Sequence, residues 1–221
     1  MTKMIVIEDN FYPNPDEVRE KALELFFHPG TKGRKINFAG ARSICSFSAQ
    51  NRIYCRNRIS KLINRNIVAF PAETSNSAFT LGLNKNPLPN WVHHDQANIT
   101  EKKIAELDCQ MFAAVCYLSP NPPRGYGTGL FRHIKNKSNW VLPNTKLGKK
   151  PTFKGEWPGC TEFALHTYAD NLYNRIILYP ARYWHAPYDA GFGHDRKTGR
   201  LIQVFFFNAE KSCVERGYEW T

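Results

Sequence analysis

The sequence lacks any long hydrophobic run, which excludes a hydrophobic membrane-spanning helix. No stretch approaches the roughly 18 apolar residues that a spanning helix needs. The apolar stretch near the N-terminus, residues 4–7, is also too short to be the core of a signal peptide. We therefore expect a cytoplasmic protein with no membrane partner.

The cysteines lack the spacings of a metal-binding or redox motif. Six are present, at positions 45, 55, 109, 116, 160 and 213, and no two of them form C-x-x-C. Cys116 lies in an apolar run and is predicted to be a small buried residue. We expect six reduced thiols, as is usual in a reducing compartment.

Acidic residues are scarce, with 19 Asp and Glu against 30 Lys and Arg, so the formal charge is +11. Much of the excess lies within residues 52–65 and 132–154. Neither stretch is a compact basic run, and neither matches a nucleic-acid-binding motif. A solvated basic surface is the simpler interpretation, and an anionic partner such as nucleic acid is the alternative.

What the chain does have is the composition of one folded domain, predicted to span residues 1–221. Its first part, 1–76, is expected to hold a strand at 4–7, a loop at 29–47 and two helices. One helix is predicted at about 15–28, with Asn14 as N-cap and Pro15 as its first residue. The other runs from about Ser48 to Asn66. The side chains expected to face inward are Val18, Ala22, Leu25, Phe26, Ile53, Ile59, Leu62 and Ile63.

From residue 77 onward, short β-branched and aromatic runs alternate with Pro, Asn and Gly clusters. The strand candidates are Ala78–Leu83, Trp91–Ile99, Met111–Leu118, Gly129–Ile134, Arg175–Tyr179 and Leu201–Phe207. Many short strands separated by turns predict a sandwich or jelly roll. Residues 136–172 interrupt the pattern and are predicted to be a long loop.

The tripeptide His93-His94-Asp95 is the first candidate for chemistry. Side chains two apart on a strand share a face, so His93 and Asp95 would point together and His94 away. An imidazole and a carboxylate are two of the three ligands typical of a non-haem iron(II) centre, and the third is a histidine. His185 follows a predicted buried strand and could complete the set. A set that uses His94 or His166 stays open.

Two further features accompany these residues. Tyr117-Leu118-Ser119 ends one strand, and Gly127-Thr128-Gly129 opens the next, as in a β-hairpin. Arg200 opens an otherwise apolar strand, where a buried guanidinium would need a partner such as a carboxylate. An exposed position at the end of the strand is the other interpretation of Arg200.

The order of these motifs resembles the iron(II)/2-oxoglutarate dioxygenase superfamily. It is nearest to the prolyl-hydroxylase-like members and to a bacterial and phage group of oxygenase-like proteins. The resemblance extends from Val6–Pro15 to Gly199–Phe207 and is weakest over 136–172. It implies a mainly β protein, a double-stranded β-helix (jelly roll) whose N-terminal helices buttress one sheet.

The resemblance also implies roles for individual residues. His93, Asp95 and His185 would ligate Fe(II), and Arg200 would bind the distal carboxylate of the cosubstrate 2-oxoglutarate. Tyr117 or Thr128 would add a hydroxyl to that cosubstrate, and O2 would be the oxidant. The substrate would be a small molecule or a protein side chain.

Two observations qualify this picture. Many members carry serine two residues after the arginine, whereas this chain has Ile202. The carboxylate at position 95 argues against a halogenase.

Trp91, Tyr183 and Trp184 flank the proposed ligands and either shape a dry pocket or simply pack in the core. A cupin-like metalloprotein that does not use 2-oxoglutarate, and a basic nucleic-acid-binding module on the same fold, remain alternatives.

Overall fold

The computed structural model describes residues 5–28, 41–43, 48–71, 76–84, 92–95, 109–140, 161–188 and 191–211. Within these ranges the helices are α1 (Pro15–Glu24) and α2 (Ala49–Ile63). The strands are β1 (Val6–Glu8), β2 (Ala41–Arg42), β3 (Ile67–Ala69), β4 (Ala78–Gly82), β5 (Cys109–Tyr117), β6 (Thr128–His133), β7 (Phe163–Ala169), β8 (Ile176–Pro180), β9 (Trp184–Pro187) and β10 (Arg200–Glu210).

Both predicted helices form, with ends set by local chemistry. α1 begins at Pro15, whose fixed backbone angle suits the first helical position. Asn14 occupies the N-cap position, but its side chain makes no capping hydrogen bond. α2 is capped by Ser48, whose Oγ accepts a hydrogen bond from the amide of Asn51 at 3.0 Å. It ends at Asn64, which takes the left-handed conformation that terminates many helices.

Two inward-facing predictions are wrong. Phe26 is 67% exposed because α1 ends at Glu24, so helical spacing no longer governs its direction, and Phe27 is buried instead. Ile53 is 61% exposed because the buried side of α2 is defined by Cys55, Ile59 and Ile63 at four-residue spacing. A residue two positions before Cys55 points to the opposite side of the helix.

The strands form two antiparallel sheets. The larger has the order β1-β8-β5-β10-β4-β2, with β3 also paired to β10, and the smaller has the order β7-β6-β9. Their facing sides share one apolar core, in which Leu130 and Ala169 of the smaller sheet meet Tyr117, Ile177 and Val204 of the larger. This arrangement confirms the predicted double-stranded β-helix.

The helices cover the other side of the larger sheet, as predicted. One core cluster joins Ala22 of α1 and Ile59 of α2 to Phe205 and Phe207 of β10. Because side chains alternate along a strand, β10 turns these phenylalanines towards the helices and Ile202 and Val204 towards the interior between the sheets. We call these the helix face and the interior face of β10.

The strand predictions around the core are confirmed to within a few residues, but four strands were missed. β2, β3 and β9 are short, and β7 lies inside the predicted 136–172 loop, which is therefore wrong over Phe163–Ala169. Residues 141–160 of that loop lie outside the described ranges. Of the predicted strand at Trp91–Ile99, the structure describes only residues 92–95. Within them His93 forms an isolated bridge with His185.

Other sequence expectations have mixed outcomes. Cys55, Cys109 and Cys116 are free and buried, as expected for Cys116 in particular. Cys45, Cys160 and Cys213 lie outside the described residues. Among the helices that the structure describes, none is both long enough and apolar enough to cross a membrane.

Candidate metal centre

Backbone pairing between distant segments assembles the His–Asp–His cluster. His93 and His185 exchange two backbone hydrogen bonds of 2.8 Å each, and the amide of Asp95 donates to the carbonyl of Ala181 at 2.8 Å. One ligand atom from each of His93, Asp95 and His185 lies within 4.8 Å of the other two. The structure thus brings together the three residues that the sequence nominated as metal ligands.

The side chains of the cluster are oriented for ligation. The Nδ1–H of His185 donates to the carbonyl oxygen of Tyr183 at 2.9 Å, which turns Nε2 towards the cluster and fixes the tautomer. That Nε2 lies 3.1 Å from Oδ2 of Asp95. Nε2 of His93 lies 3.8 Å from Oδ1 of the same carboxylate.

The electrostatics of the metal-free cluster reflect this closeness. Burial raises the pKa of Asp95, but the charge and hydrogen bond of His185, with smaller effects of other cations, lower it to about 2. Burial lowers the pKa of His185, yet Asp95 and the Tyr183 carbonyl raise it above its ordinary value. Asp95 and His185 therefore stabilise each other's charged forms.

The donor set fits a transition metal ion. Ligand atoms at neighbouring corners of an octahedron with bonds of about 2.1 Å are about 3 Å apart, close to the His185–Asp95 separation. Two neutral imidazoles and one carboxylate are the donors typical of non-haem iron(II). Among the residues that the structure describes, no other group of three such side chains converges in this way.

The alternative ligands lie elsewhere. His94 is buried and points away from the cluster, with its ring edge-on to Trp184 at 5.3 Å between centroids. His166 is exposed on β7. His133 accepts a hydrogen bond from the Asn136 amide at 3.2 Å, so it caps a turn, and His194 is exposed.

Arg200 is buried in the interior, and an exposed strand-end position is excluded. It is 1% exposed and shares the interior face of β10 with Ile202. Its Nε donates to the carbonyl of Tyr126 at 3.0 Å, and its Nη2 reaches the carbonyl of Gly127 at 3.5 Å. A Cβ at position 127 would lie 1.9 Å from the Ala169 carbonyl oxygen, so only glycine allows this close approach of the turn.

Both predicted hydroxyls lie next to Arg200. The guanidinium carbon is 5.9 Å from the centre of the Tyr117 ring. The Tyr117 hydroxyl donates to Oγ1 of Thr128 at 2.7 Å, and both residues are buried. Burial raises the pKa of Tyr117 to about 12 even though Arg200 opposes the shift, so the phenol is neutral at physiological pH. Ile202 occupies the neighbouring interior position.

Tyr179 lies beside the ligand cluster and was not identified from the sequence. Its buried ring lies 4.8 Å from the ring of His185. Burial is the main cause of its raised pKa, and the charges of both Asp95 and Arg200 also act on it. The signal in the sequence was its place, two residues after Ile177, on the interior face of a predicted strand.

The aromatic residues that flank the proposed ligands pack in different parts of the core, and two arginines of a basic stretch are held by contacts within the chain. Trp184 packs with Phe163 in a separate small core, whereas Tyr183 belongs to the interior, and Trp91 lies outside the described residues. In the basic stretch 52–65, two arginines contact other parts of the chain. Arg56 donates to the Ile67 carbonyl at 2.9 Å, and Arg65 is buried beside the Phe112 ring.

Comparison with known proteins places the fold. The non-heme alpha ketoglutarate dependent epimerase SnoN from nogalamycin biosynthesis matches with a TM-score of 0.58 at 15% identity, over 95% of this chain and 79% of that chain. The chain has the fold of the non-haem 2-oxoglutarate-dependent oxygenases. HygX from Streptomyces hygroscopicus, solved with nickel and 2-oxoglutarate bound, matches with a TM-score of 0.51 at 10% identity, over 95% and 84% of the two chains.

Sequence comparisons add nothing to this structural likeness. No protein-family model matches the chain, and no curated protein matches it significantly in sequence. The likeness in structure therefore rests on the path of the backbone.

Proposed function

We propose that the protein is an Fe(II)- and 2-oxoglutarate-dependent oxygenase that hydroxylates a small molecule or a protein side chain and releases succinate and CO2. One observation carries the proposal. A His–Asp–His cluster and a buried arginine face the same interior of a double-stranded β-helix.

The ligand cluster fits the metal part of this function. His93, Asp95 and His185 would hold Fe(II) through three positions on one side of the ion, which leaves the others open. Bound iron and 2-oxoglutarate would together supply the oxidising chemistry by reaction with O2. Asp95 is well suited to its role because its pKa of about 2 keeps it ionised at physiological pH.

Arg200 and Thr128 would bind and orient the cosubstrate. A buried guanidinium gains most from an anion that it can contact through two hydrogen bonds, as the distal carboxylate of 2-oxoglutarate would provide. Oγ1 of Thr128 already accepts a hydrogen bond from the Tyr117 hydroxyl. The Thr128 hydroxyl can therefore donate its own hydrogen bond to that carboxylate. Thr128 would thus act directly and Tyr117 through it, in the place of the serine that Ile202 replaces.

A spectroscopic titration tests the proposal. Purified protein is loaded with Fe(II) without oxygen, and 2-oxoglutarate is added while the visible spectrum is recorded. We expect a weak metal-to-ligand charge-transfer band, absent in His185→Ala and lost in Arg200→Ala at the same cosubstrate concentration. His166→Ala, which changes an exposed histidine of β7, is the matched control and should behave as the wild type.

The same experiment separates the alternatives. A cupin-like metalloprotein that does not use 2-oxoglutarate would bind the metal but show no band, and Arg200→Ala would change nothing. A basic nucleic-acid-binding module would retain neither metal nor cosubstrate, and its binding to nucleic acid would weaken steeply with salt. Either result would reject the proposed function.

A further inference from the structure

A second arginine, Arg42, faces the same interior from the edge of the larger sheet. Arg42 of β2 is paired with Thr80 of β4, and Thr80 is paired with Ile202 of β10. Directly opposite residues on antiparallel strands share a face, and Ile202 belongs to the interior core. Its neighbour Ala41 packs on the helix side, as alternation requires.

The position of Arg42 is fixed by its surroundings, although β2 is only two residues long. Its amide and carbonyl exchange hydrogen bonds of 3.0 and 2.9 Å with the backbone of His28. Its Nε donates to Oγ1 of the buried Thr80 at 3.3 Å. The guanidinium is therefore held at the inner surface of the sheet and does not extend freely into solvent.

Arg42 and Arg200 lie on different strands of the larger sheet, and the Tyr117 ring beside Arg200 belongs to the strand on the other side of β10 from Arg42. Ile202 is flanked by Tyr117 of β5 on one side and by Thr80 on the other, and Arg42 lies one strand beyond Thr80. With strands about 4.8 Å apart, the Cα atoms of Arg42 and Tyr117 are about 14 Å apart across the sheet. A cosubstrate carboxylate beside Tyr117 and Arg200 would leave the Arg42 side of the interior to another group.

The charge of Asp95 also acts on Arg42. Its burial lowers its pKa to about 10, a shift that the charge of Asp95 opposes, so it remains a cation at neutral pH. A metal ion bound by Asp95 would offset the charge of that carboxylate, which makes an anion beside Arg42 more favourable.

We propose that Arg42 recognises the substrate by binding an anionic group on it, a carboxylate or a phosphate. The inference rests on the proposed function and narrows it: the molecule that is oxidised is an acid, held by its anionic group at the β2 edge while a carbon elsewhere in it lies next to the metal centre. Thr80 is a positioning residue that orients the guanidinium.

Binding to the anaerobic complex with Fe(II) and 2-oxoglutarate tests this inference. The probes are benzoate, phenyl phosphate and neutral benzamide. Their binding is measured by calorimetry and by shifts in the charge-transfer band. We expect saturable binding of at least one anion, and the stronger of the two identifies the carboxylate or phosphate class. In Arg42→Gln that affinity should fall at least about tenfold, as expected for loss of a hydrogen bond between charged groups. The affinity for 2-oxoglutarate, and any affinity for benzamide, should be the same in Arg42→Gln as in the wild type.

Further variants separate charge from folding. Arg132→Gln removes an equal charge from an exposed position and should match the wild type. Arg42→Lys keeps the charge and should bind the anion with intermediate affinity, and Thr80→Val should weaken it less than Arg42→Gln does. These two variants carry the test if Arg42→Gln does not fold.

The contrary outcomes are distinct. Wild-type protein that shows the band but binds neither anion, or Arg42→Gln that binds the anion as tightly as wild type, overturns this inference and leaves the proposed function standing. Loss of 2-oxoglutarate affinity in Arg42→Gln, with none in Arg200→Gln, would make Arg42 the cosubstrate residue and also overturn it. Absence of the band in wild-type protein would reject both.

Discussion

The two faces of β10 differ in what they contribute. The helix face holds Leu201, Phe205 and Phe207 against α1 and α2, with Gln203 as its one polar side chain. The interior face starts with Arg200 and continues with Ile202 and Val204 towards the smaller sheet. Both faces are buried, yet the charged side chain and its hydrogen-bonding neighbours lie on only one of them.

This difference separates stability from chemistry within a single strand. On the helix face, apolar side chains exclude water and stabilise the fold in proportion to the area they bury. On the interior face, a buried cation costs free energy unless a partner compensates it. At Arg200 the carbonyls of Tyr126 and Gly127 accept hydrogen bonds from the buried guanidinium, so substitutions on the two faces should fail in different ways.

Asp95→Ala should give the largest effect of all, because it removes the only carboxylate of the interior cluster. We expect loss of stable Fe(II) binding and no detectable succinate formation. The thermal unfolding midpoint of the metal-free protein should stay within a few degrees of wild type. Metal analysis of the purified variant checks the first claim, and calorimetry the second. Full turnover by this variant would remove Asp95 from the ligand set.

Phe205→Ala should fail in the opposite way. Its ring is fully buried against Phe11 and Phe70, so truncation should cost about 3–5 kcal/mol of unfolding free energy. Denaturant unfolding measures the loss. The fraction that remains folded should bind Fe(II) and 2-oxoglutarate as wild type does. If metal affinity falls with stability, the two faces are not separable and the comparison fails.

The sequence predicted the directions of the metal ligands better than that of Arg200. The H-x-D spacing on a strand is a local rule, so the shared direction of His93 and Asp95 follows from neighbouring residues. For Arg200 the sequence left open a buried and an exposed position. The end of α1 was predicted less well. Phe26 was misplaced because one turn fewer of helix redirects every following side chain.

The missed elements depend on partners far along the chain. β2 is two residues long and exists because Ala41 and Arg42 pair with Leu81 and Thr80, so no local pattern could reveal it. Arg42 was consequently treated as part of a basic loop. β9 was missed for the same reason, although His185 itself was identified, because its pairing with β6 is decided by the whole smaller sheet.

The pH dependence of metal binding would sharpen the account of the interior face. Metal must displace the proton from His185, whose pKa is raised despite its burial because of Asp95. As pH falls through that raised value, apparent Fe(II) affinity should fall by up to about tenfold per pH unit. Metal titration by calorimetry from about pH 5 to 8, across the range where histidine titrates, measures this. Phe205→Ala should show the same slope, and an affinity independent of pH would contradict the His185 assignment.

The smallest effect should come from the hydrogen bonds of two tyrosines that pack near the helix face. The Tyr12 hydroxyl donates to Oε1 of Gln203 and lies 3.0 Å from Sγ of Cys55, which ties the residues before α1 to β10 and α2. Tyr12→Phe removes the donor to a fully buried amide oxygen and should cost about 1–3 kcal/mol of unfolding free energy.

Tyr54→Phe is the matched comparison for Tyr12→Phe, because its hydroxyl donates to the Phe11 carbonyl at 2.6 Å from a partly exposed position. Water can replace that donor, so the loss of unfolding free energy should be smaller, below about 1 kcal/mol. Neither variant should change Fe(II) or 2-oxoglutarate affinity. A change in 2-oxoglutarate affinity in Tyr12→Phe alone would mean that Gln203 transmits its position to Arg200 and Ile202. The two faces of β10 would then be coupled through the strand that they share.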